Sequence, residues 1–216
     1  MIQDIDTEKN LFIAFEGIDG SGKSTQVKML AGYLQSRGHK VYSTYEPTDS
    51  RIGRMIRDIF NHREEGDQRV IAALFAADRL NHLLHSEDGI LHKLKEGYTV
   101  ISDRYYLSSY AYHSVYVPME WVINLNSMSK DLLKPDITFY IDIDPVSSME
   151  RLTNSRASVE MYETLSHQQK VYEKYREAIE KTGKDENIIM VEGISPAVEV
   201  HNFVRKATDD YLALKK

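Results

Sequence analysis

Apolar and polar positions follow two alternating patterns along the chain: short apolar runs, and longer stretches with an apolar residue every three or four positions. The short runs predict β-strands and the longer stretches predict amphipathic helices. Strands and helices follow one another in turn, which favours a parallel sheet with helices on both faces and ligands at the carboxyl ends of the strands. The five predicted strands cover residues 11–16, 41–45, 98–102, 137–143 and 188–191.

The predicted helices cover residues 24–37, 52–60, 67–85, 90–96, 118–128, 146–152, a long segment ending near 181, and 196–214. In the third of them, the positions predicted to face the core are Val70, Ala73, Leu74, Ala77, Leu80 and Leu84. Residues 106–114 are aromatic and small, and no element is assigned to them. Residues 153–158 are polar, which predicts a mobile connection.

The composition narrows the class of protein. The chain has 216 residues, 42% of them hydrophobic, and no linker or repeat divides it, so we expect one domain over residues 1–216. It has no cysteine, which excludes disulfides and cysteine-based metal sites. A net charge of −6 argues against broad contact with a nucleic-acid backbone. The start is unlike a signal peptide and no apolar run reaches membrane-spanning length, so we expect a cytoplasmic protein without nucleic-acid or membrane partners.

The first predicted strand leads into a glycine-rich segment. The eight residues from Gly17 to Ser24 fit G-x-x-x-x-G-K-[ST], and a predicted helix follows. Glycines let backbone N–H groups point into such a loop, and the helix start adds unpaired N–H groups and a positive dipole end, so the segment is suited to phosphate. Lys23 can neutralise the β- and γ-phosphate oxygens, and the Ser24 hydroxyl can ligate Mg²⁺. The predicted phosphate-binding residues of the loop are Gly17, Gly20, Ser21, Gly22, Lys23, Ser24 and Thr25.

Two later segments carry side chains suited to a second ligand. Phe75 and Arg79 are four residues apart, so they share a helix face. The ring can stack on a base and the guanidinium can donate to a base carbonyl, but the helix alone favours a core phenylalanine and an arginine paired with a carboxylate. Arg104 follows a predicted strand and can clamp a phosphate with two hydrogen bonds. Its neighbour Asp103 can hold Mg²⁺ or its water, orient Lys23 or Ser24, or pair with Arg104.

Taken in order, these segments resemble the thymidylate kinase family, whose members phosphorylate dTMP with ATP. The resemblance extends from Phe12 to about Val191, and it rests on Gly17 to Thr25, Glu46-Pro47, residues 74–79, Asp103-Arg104-Tyr105, Ser108, Ser109, Ala111 and Tyr112. It implies an α/β, three-layer P-loop kinase fold with a five-stranded parallel sheet and a short lid at about residues 151–160. It also implies direct in-line transfer from MgATP to dTMP, giving dTDP for dTTP synthesis, and a homodimer.

The resemblance assigns roles to individual residues. Phe75 stacks on thymine, Arg79 reaches its O4, Ser109 reads its N3 edge, Tyr112 lies against the sugar near C2′, and Pro47 packs near the methyl group. Asp19 lies near the 3′-hydroxyl and Arg104 binds the acceptor phosphate. The Mg²⁺ ligands are Ser24 and Asp103. The ATP phosphates also meet two lid arginines, Arg151 and Arg156, although a solvated helix end explains Arg151 as well. The implied catalytic residues are Lys23, Arg104, Arg156 and Asp19.

The chain departs from the family's common pattern at several positions. Tyr45 stands where an arginine usually precedes Glu-Pro, and Thr48-Asp49 replaces Gly-Gly, so Arg51 is a candidate for a substitute phosphate contact. His113 stands where the family usually has Gln, Ser, Thr, Ala or Asn. Gly20 stands where some members carry a P-loop arginine, so the lid arginine has to supply that charge.

Two other functions are open. The acceptor could be a deoxynucleoside or another monophosphate; Arg104 argues for a monophosphate because a nucleoside needs no cation. A nucleotide-dependent switch without kinase activity would need a guanine-reading N-K-x-D segment. Residues 182–187 contain Lys-Asp but not that motif, so the kinase is the favoured interpretation.

Overall fold

The computed structural model describes residues 10–155 and 164–215. A parallel five-stranded sheet forms its centre, with the strands in the order β2-β3-β1-β4-β5. The strands are β1 (Phe12–Glu16), β2 (Val41–Tyr45), β3 (Thr99–Asp103), β4 (Ile137–Asp142) and β5 (Ile188–Glu192). The α/β fold predicted from the sequence is confirmed, and each predicted strand matches an observed one to within one or two residues.

Ten α-helices surround the sheet within the described residues. They are α1 (Lys23–Ser36), α2 (Arg51–Phe60), α3 (Gln68–Leu84), α4 (Ile90–Lys95), α5 (Tyr106–His113), α6 (Met119–Leu125), α7 (Ser127–Leu132), α8 (Pro145–Ser155), α9 (Leu165–Thr182) and α10 (Ala197–Leu214). A short 3-10 helix, Gly183–Asp185, follows α9. None of these helices has both the length and the apolar character that crossing a membrane requires.

The central strand β1 shows why the sheet is covered on both faces. All five of its residues are buried, and successive side chains point to opposite faces. Phe12 and Ala14 join the core cluster that includes residues of α5 and α9, whereas Ile13 and Phe15 join the cluster that includes α1 and α10. The carboxyl end of β1 therefore emerges between two helical layers, and the glycine-rich loop begins there.

Three helical predictions need correction. Residues 106–114 contain the helix α5, which is buried on every side and so lacks an amphipathic period. The helix predicted over 118–128 is two helices, α6 and α7, separated by the buried Asn126. Residues 153–155 extend α8 rather than forming a connection; the remainder of 153–158, with Arg156, lies outside the described residues.

The buried face of α3 is also different from the predicted one. Ile71, Ala72 and Leu83 are in the core, together with the polar Asp78, Arg79 and His82. The residues predicted to be inside are exposed or only half-buried; Val70 and Leu84 are 51% and 56% exposed. The polar residues of this buried face have hydrogen-bond partners on neighbouring elements, which is why they can lie inside.

Candidate active site

The glycine-rich loop is a tight structure that needs its glycines. Gly17 and Gly20 have φ values of +139° and +76°. A Cβ at Gly17 would lie 2.7 Å from the Ile141 carbonyl oxygen, and one at Gly20 would lie 2.5 Å from the Ser148 carbonyl oxygen. Both clashes are with backbone atoms, which cannot give way as a side chain would. The loop therefore packs closely against β4 and α8, and its own backbone lines the adjacent cavity.

Lys23 lies folded into this loop. Its Nζ donates to the Ile18 carbonyl oxygen at 2.8 Å and to Ser21 Oγ at 3.4 Å. Burial and then the neighbouring charge of Arg104 lower the pKa of Lys23 to about 8. An ammonium that is held this way has lost much of its hydration without gaining a carboxylate partner among the described residues, and a phosphate group would supply the missing negative charge.

Ser24 and Asp103 bring two oxygen ligands together. Ser24 Oγ donates to Asp103 Oδ2 at 2.5 Å, which joins the first turn of α1 to the end of β3. No group of three metal-ligating side chains occurs in the described part of the chain. A hydroxyl and a carboxylate nevertheless fit Mg²⁺, which usually takes one or two protein oxygens and completes its shell with phosphates and water. Thr25 follows Ser24, is exposed, and lines the same cavity.

Arg104 lies where β3 ends, with a left-handed backbone at φ +75°. Its guanidinium forms an ion pair with Asp19 and donates to the Gly17 carbonyl oxygen at 3.2 Å and Ser108 Oγ at 3.0 Å. It also lies over the Tyr112 ring, 4.9 Å from the centroid. The alternative of a pair between Arg104 and Asp103 is not what the structure shows. A non-glycine residue in this conformation is uncommon, and here it aims the guanidinium back towards the loop.

Asp19 is held from two sides. Oδ1 accepts from Arg104, and Oδ2 accepts from Gln168 Nε2 of α9 at 3.0 Å. Burial acts to raise the pKa of Asp19, but the charges of Arg104 and Lys23 outweigh it, so the pKa lies below its ordinary value. Asp19 is therefore an ionised hydrogen-bond acceptor in the loop, to which a hydroxyl group can donate.

Glu16 was missed in the sequence because it ends an apolar strand. It is fully buried and accepts from Tyr105 N at 2.8 Å, Ser108 N at 3.2 Å and Tyr175 OH at 3.0 Å. Burial raises the pKa of Glu16 in spite of these bonds. The carboxyl group ties the start of α5 to the loop, and thereby sets the position of Arg104 between them.

Two cavities open on either side of Arg104. The donor cavity, of about 1000 Å³, follows the glycine-rich loop and is lined by Gly20, Ser21, Gly22, Lys23, Ser24 and Thr25, by Arg151, and by residues 193–197. The acceptor cavity, of about 260 Å³, is lined by Pro47, Phe75, Arg79, Ser109, Tyr112 and His113, by Arg57 and Phe60 of α2, and by Asn61, which follows that helix. Four residues line both cavities: Asp19, Tyr45, Glu46 and Arg104.

Arg79 is tied into the wall of the acceptor cavity. Nε donates to Glu46 Oε2 at 2.9 Å, and Nη2 donates to the same atom at 2.5 Å and to the Tyr105 carbonyl oxygen at 3.1 Å. Nη1 donates to Ser109 Oγ at 2.9 Å and Asn126 Oδ1 at 2.5 Å. These bonds use all five N–H groups that a guanidinium has. The pairing with a carboxylate that the sequence left open is therefore present, and a base carbonyl would have to replace one of these acceptors.

A model of the family described as thymidylate kinase matches residues 15–204 of the chain. A probable thymidylate kinase of Methanocaldococcus jannaschii is 38% identical over 89% of this chain and 93% of its own length. A thymidylate kinase of Caldicellulosiruptor saccharolyticus is 35% identical over 94% of this chain and 98% of its own. A probable thymidylate kinase of Thermococcus kodakarensis is 40% identical over 76% of this chain and 82% of its own.

The chain belongs to the thymidylate kinase family. The resemblance found in the sequence is thereby confirmed, and with it the assignment of the chain as a kinase, an enzyme of the transferase class. The segment from Gly17 to Ser24 is the P-loop of this kinase.

Two of the departures from the family pattern, Tyr45 and His113, line the acceptor cavity of this thymidylate kinase. Tyr45 OH donates to Asp49, and Arg57 Nη2 donates to Asp49 Oδ1 at 3.0 Å. Arg57 Nη1 also donates to the Pro47 carbonyl oxygen at 2.9 Å. Arg51 is exposed and is not among the residues that line either cavity, whereas Arg57 lines the acceptor cavity. Arg51, Arg54 and Arg57 follow one another at three-residue intervals in the sequence, and this spacing could have pointed to Arg57.

Of the two predicted lid arginines, Arg151 lies within the described residues. Arg151 Nη1 donates to the Gly193 carbonyl oxygen at 2.8 Å and Nη2 donates to the Ile194 carbonyl oxygen at 3.2 Å. Arg151 thus joins α8 to the segment after β5 at the edge of the donor cavity. Arg156 and most of the predicted lid lie outside the described residues.

Proposed function

We propose that this thymidylate kinase transfers the γ-phosphoryl group of MgATP directly to dTMP, giving dTDP and ADP, for dTTP synthesis. The observation that carries the proposal is the meeting of the donor and acceptor cavities at Asp19 and Arg104. Direct transfer needs the reacting oxygen and phosphorus in contact, and two cavities with a shared wall can hold two nucleotides end to end. Family membership favours dTMP as the acceptor.

On the donor side, the P-loop backbone, Lys23 and the uncapped start of α1 would surround the β- and γ-phosphates. Ser24 and Asp103 would hold Mg²⁺, which neutralises phosphate charge when bound. Arg156 would approach the transferring group from the lid, and Arg151 would shape the donor cavity through its bonds to residues 193 and 194. We treat residues 1–216 as one domain that carries both cavities.

On the acceptor side, Phe75 would stack on the base and Pro47 would pack near its methyl group. Ser109 would read the N3 edge, Tyr112 would lie against the sugar, and Asp19 would accept from the 3′-hydroxyl. Arg104 would bind the acceptor phosphate from its position between the cavities, exchanging part of its pairing with Asp19. Arg79 would hold the base wall, reaching O4 only if one of its present acceptors gives way.

The reaction needs positioning and charge neutralisation more than proton transfer. A phosphate oxygen of the acceptor, already anionic, would attack the γ-phosphorus as the bond to the ADP oxygen breaks, so no general base is required. Lys23 and Arg104 would stabilise the charge on the transferring group. Closure over the donor cavity would exclude water, which would otherwise take the phosphoryl group.

An assay of ADP release with a panel of acceptors tests this proposal. We expect dTMP to be the best acceptor, dUMP poorer because one methyl contact contributes about 1–3 kcal/mol, and the ribose form of TMP poorer still because of Tyr112. If a free deoxynucleoside, CMP or AMP were the best acceptor, the chain would instead be a kinase for that other acceptor. GTP hydrolysis without any acceptor would favour the nucleotide-dependent switch.

We also propose a homodimer. The exposed face of α3 carries Val70, Ala73, Ala77 and Leu84 at spacings of one helix face, and Met55 of the adjacent α2 is 43% exposed. A second copy of the chain would cover this stripe, as the family resemblance implies. Sedimentation of the wild type and of Leu84→Glu tests it: we expect a dimer that the variant weakens, and a monomeric wild type would refute it.

A further inference from the structure

His113 departs from the family pattern, lies in the wall of the acceptor cavity and has no role in the proposed function. It ends α5 and is 2% exposed. Its ring lies 5.0 Å from that of Phe75, centroid to centroid, and is tilted by 55°. A base stacked on Phe75 would therefore present an edge of its ring near His113.

The ring is neutral in this environment. Burial, and then the charge of Arg79, lower the pKa of His113 to about 3. A neutral imidazole has one N–H donor and one lone pair, and the surroundings decide which nitrogen carries the proton. His113 is thus a fixed hydrogen-bonding group at any pH at which the enzyme would work.

The two ring nitrogens have different surroundings. Nδ1 is sealed from solvent and has no hydrogen-bond partner among the described residues. Only Nδ1 is sealed in this way, which leaves Nε2 as the nitrogen that can face the cavity. A buried N–H group without an acceptor is rarer in proteins than an acceptor without a donor. The proton therefore belongs on Nε2, so the cavity receives a donor and the unused lone pair is buried.

The N–H groups of Arg79, the cation assigned to the base, already have acceptors. All five N–H groups of Arg79 have acceptors in Glu46, Ser109, Asn126 and the Tyr105 carbonyl oxygen. Releasing one of them would leave a buried acceptor unpaired, which is costly. His113 loses no such bond when it meets a ligand, because its Nε2–H has no partner to give up within the described residues.

We infer that His113 is a specificity-determining residue of the acceptor site: its Nε2–H donates to the O4 carbonyl of the pyrimidine and selects a 4-oxo base over a 4-amino base. The inference rests on the proposed function, which supplies the pyrimidine monophosphate. An amino group at C4 would place N–H against N–H, so cytosine would lose the bond and add an unpaired donor.

The test compares dUMP and dCMP, which share the sugar, the phosphate and the missing methyl group but differ at C4 and N3. The ratio of kcat/KM for dUMP over dCMP is measured in the wild type, His113→Phe, His113→Gln and His113→Asn. We expect His113→Phe, which keeps the ring without its donor, to lower the ratio by about 5- to 100-fold. His113→Gln should keep it within a few fold, because its amide reaches the place of Nε2, whereas His113→Asn, ending near Nδ1, should not.

The controls separate failures of folding and of the proposed function from failure of this inference. Equal ATP affinity in all four proteins shows an intact donor cavity. An unchanged ratio in a folded His113→Phe overturns the role of His113 and leaves dTMP phosphorylation standing. A wild type that uses dCMP as well as dUMP also overturns it. A wild type that prefers a purine monophosphate or a free nucleoside overturns both proposals.

Discussion

Arg104 and Asp19 form an ion pair at the shared wall of the donor and acceptor cavities. Asp19 is anchored by Gln168, and Arg104 by the Gly17 carbonyl oxygen and Ser108. The pair keeps the guanidinium at a fixed place between the two cavities with its charge balanced by a carboxylate. An arriving phosphate can take over part of the pairing because carboxylate and phosphate offer similar geometry to the guanidinium.

Arg104→Lys should lower kcat/KM for dTMP by roughly 10- to 100-fold, because a single ammonium cannot replace the two parallel hydrogen bonds of the guanidinium. The affinity for ATP should change little. Steady-state kinetics and direct ATP binding measure both quantities, with Arg205→Lys on the exposed face of α10 as the matched control. A normal acceptor KM in Arg104→Lys would exclude Arg104 from the phosphate site.

Lys23→Ala should reduce kcat by at least roughly 100-fold and leave the protein folded. Among the described residues its Nζ bonds only to Ile18 and Ser21 of the same loop, so little outside the loop depends on it there. Turnover is compared with that of Lys206→Ala, an exposed lysine of α10, and folding is followed by thermal denaturation. If folded Lys23→Ala turned over at nearly the wild-type rate, the P-loop assignment would be wrong.

The sheet and the P-loop could be predicted from the sequence because both depend on local signals. An apolar strand followed by G-x-x-x-x-G-K-[ST] and a helix fixes the loop at the edge of a parallel sheet. The alternation of strands and helices predicts a parallel sheet, and the P-loop and the ends of β3 and β4 lie together at its carboxyl edge, as that prediction requires.

The wall of the acceptor cavity was less predictable. On α3, Asp78 accepts from Thr48 N and Ser50 Oγ, and Arg79 and His82 meet Glu46. Polar residues that a sequence pattern assigns to the surface are buried here because β2 and its loop supply their partners. The apolar residues of α3 that recur with the helical period therefore lie on its more exposed face and not on its buried one. Gln168 escaped notice because its partner, Asp19, is distant in sequence, and Glu16 did so because it ends an apolar strand.

Removal of one partner from this buried network should be costly. Arg79→Met would leave Glu46, with a side chain that is 2% exposed, without its guanidinium, which typically destabilises a protein by about 3–5 kcal/mol. Replacing both residues, as Arg79→Met with Glu46→Gln, should recover part of the loss. Urea denaturation gives the free energies of unfolding. A loss below about 1 kcal/mol in the single variant would contradict the network described here.

Arg156→Ala should lower kcat far more than it weakens ATP binding, because a lid meets the phosphates fully only when closed. The loss should be large, up to the roughly 10³–10⁵ that an arginine finger contributes. Arg151→Ala should instead weaken ATP binding, because Arg151 holds residues 193 and 194 beside the donor cavity. If Arg151→Ala abolished turnover and Arg156→Ala changed it only a few fold, the roles would be reversed; if neither mattered, the lid assignment would fail.

The most direct test of the central claim follows the phosphoryl group itself. ATP labelled at the γ-phosphate is incubated with the enzyme, Mg²⁺ and dTMP, and the labelled products are separated. Direct transfer between two adjoining cavities predicts label in dTDP in an amount equal to the ADP formed, with little free phosphate and no labelled protein. Label that goes to inorganic phosphate regardless of dTMP, or that stays on the protein, would contradict it.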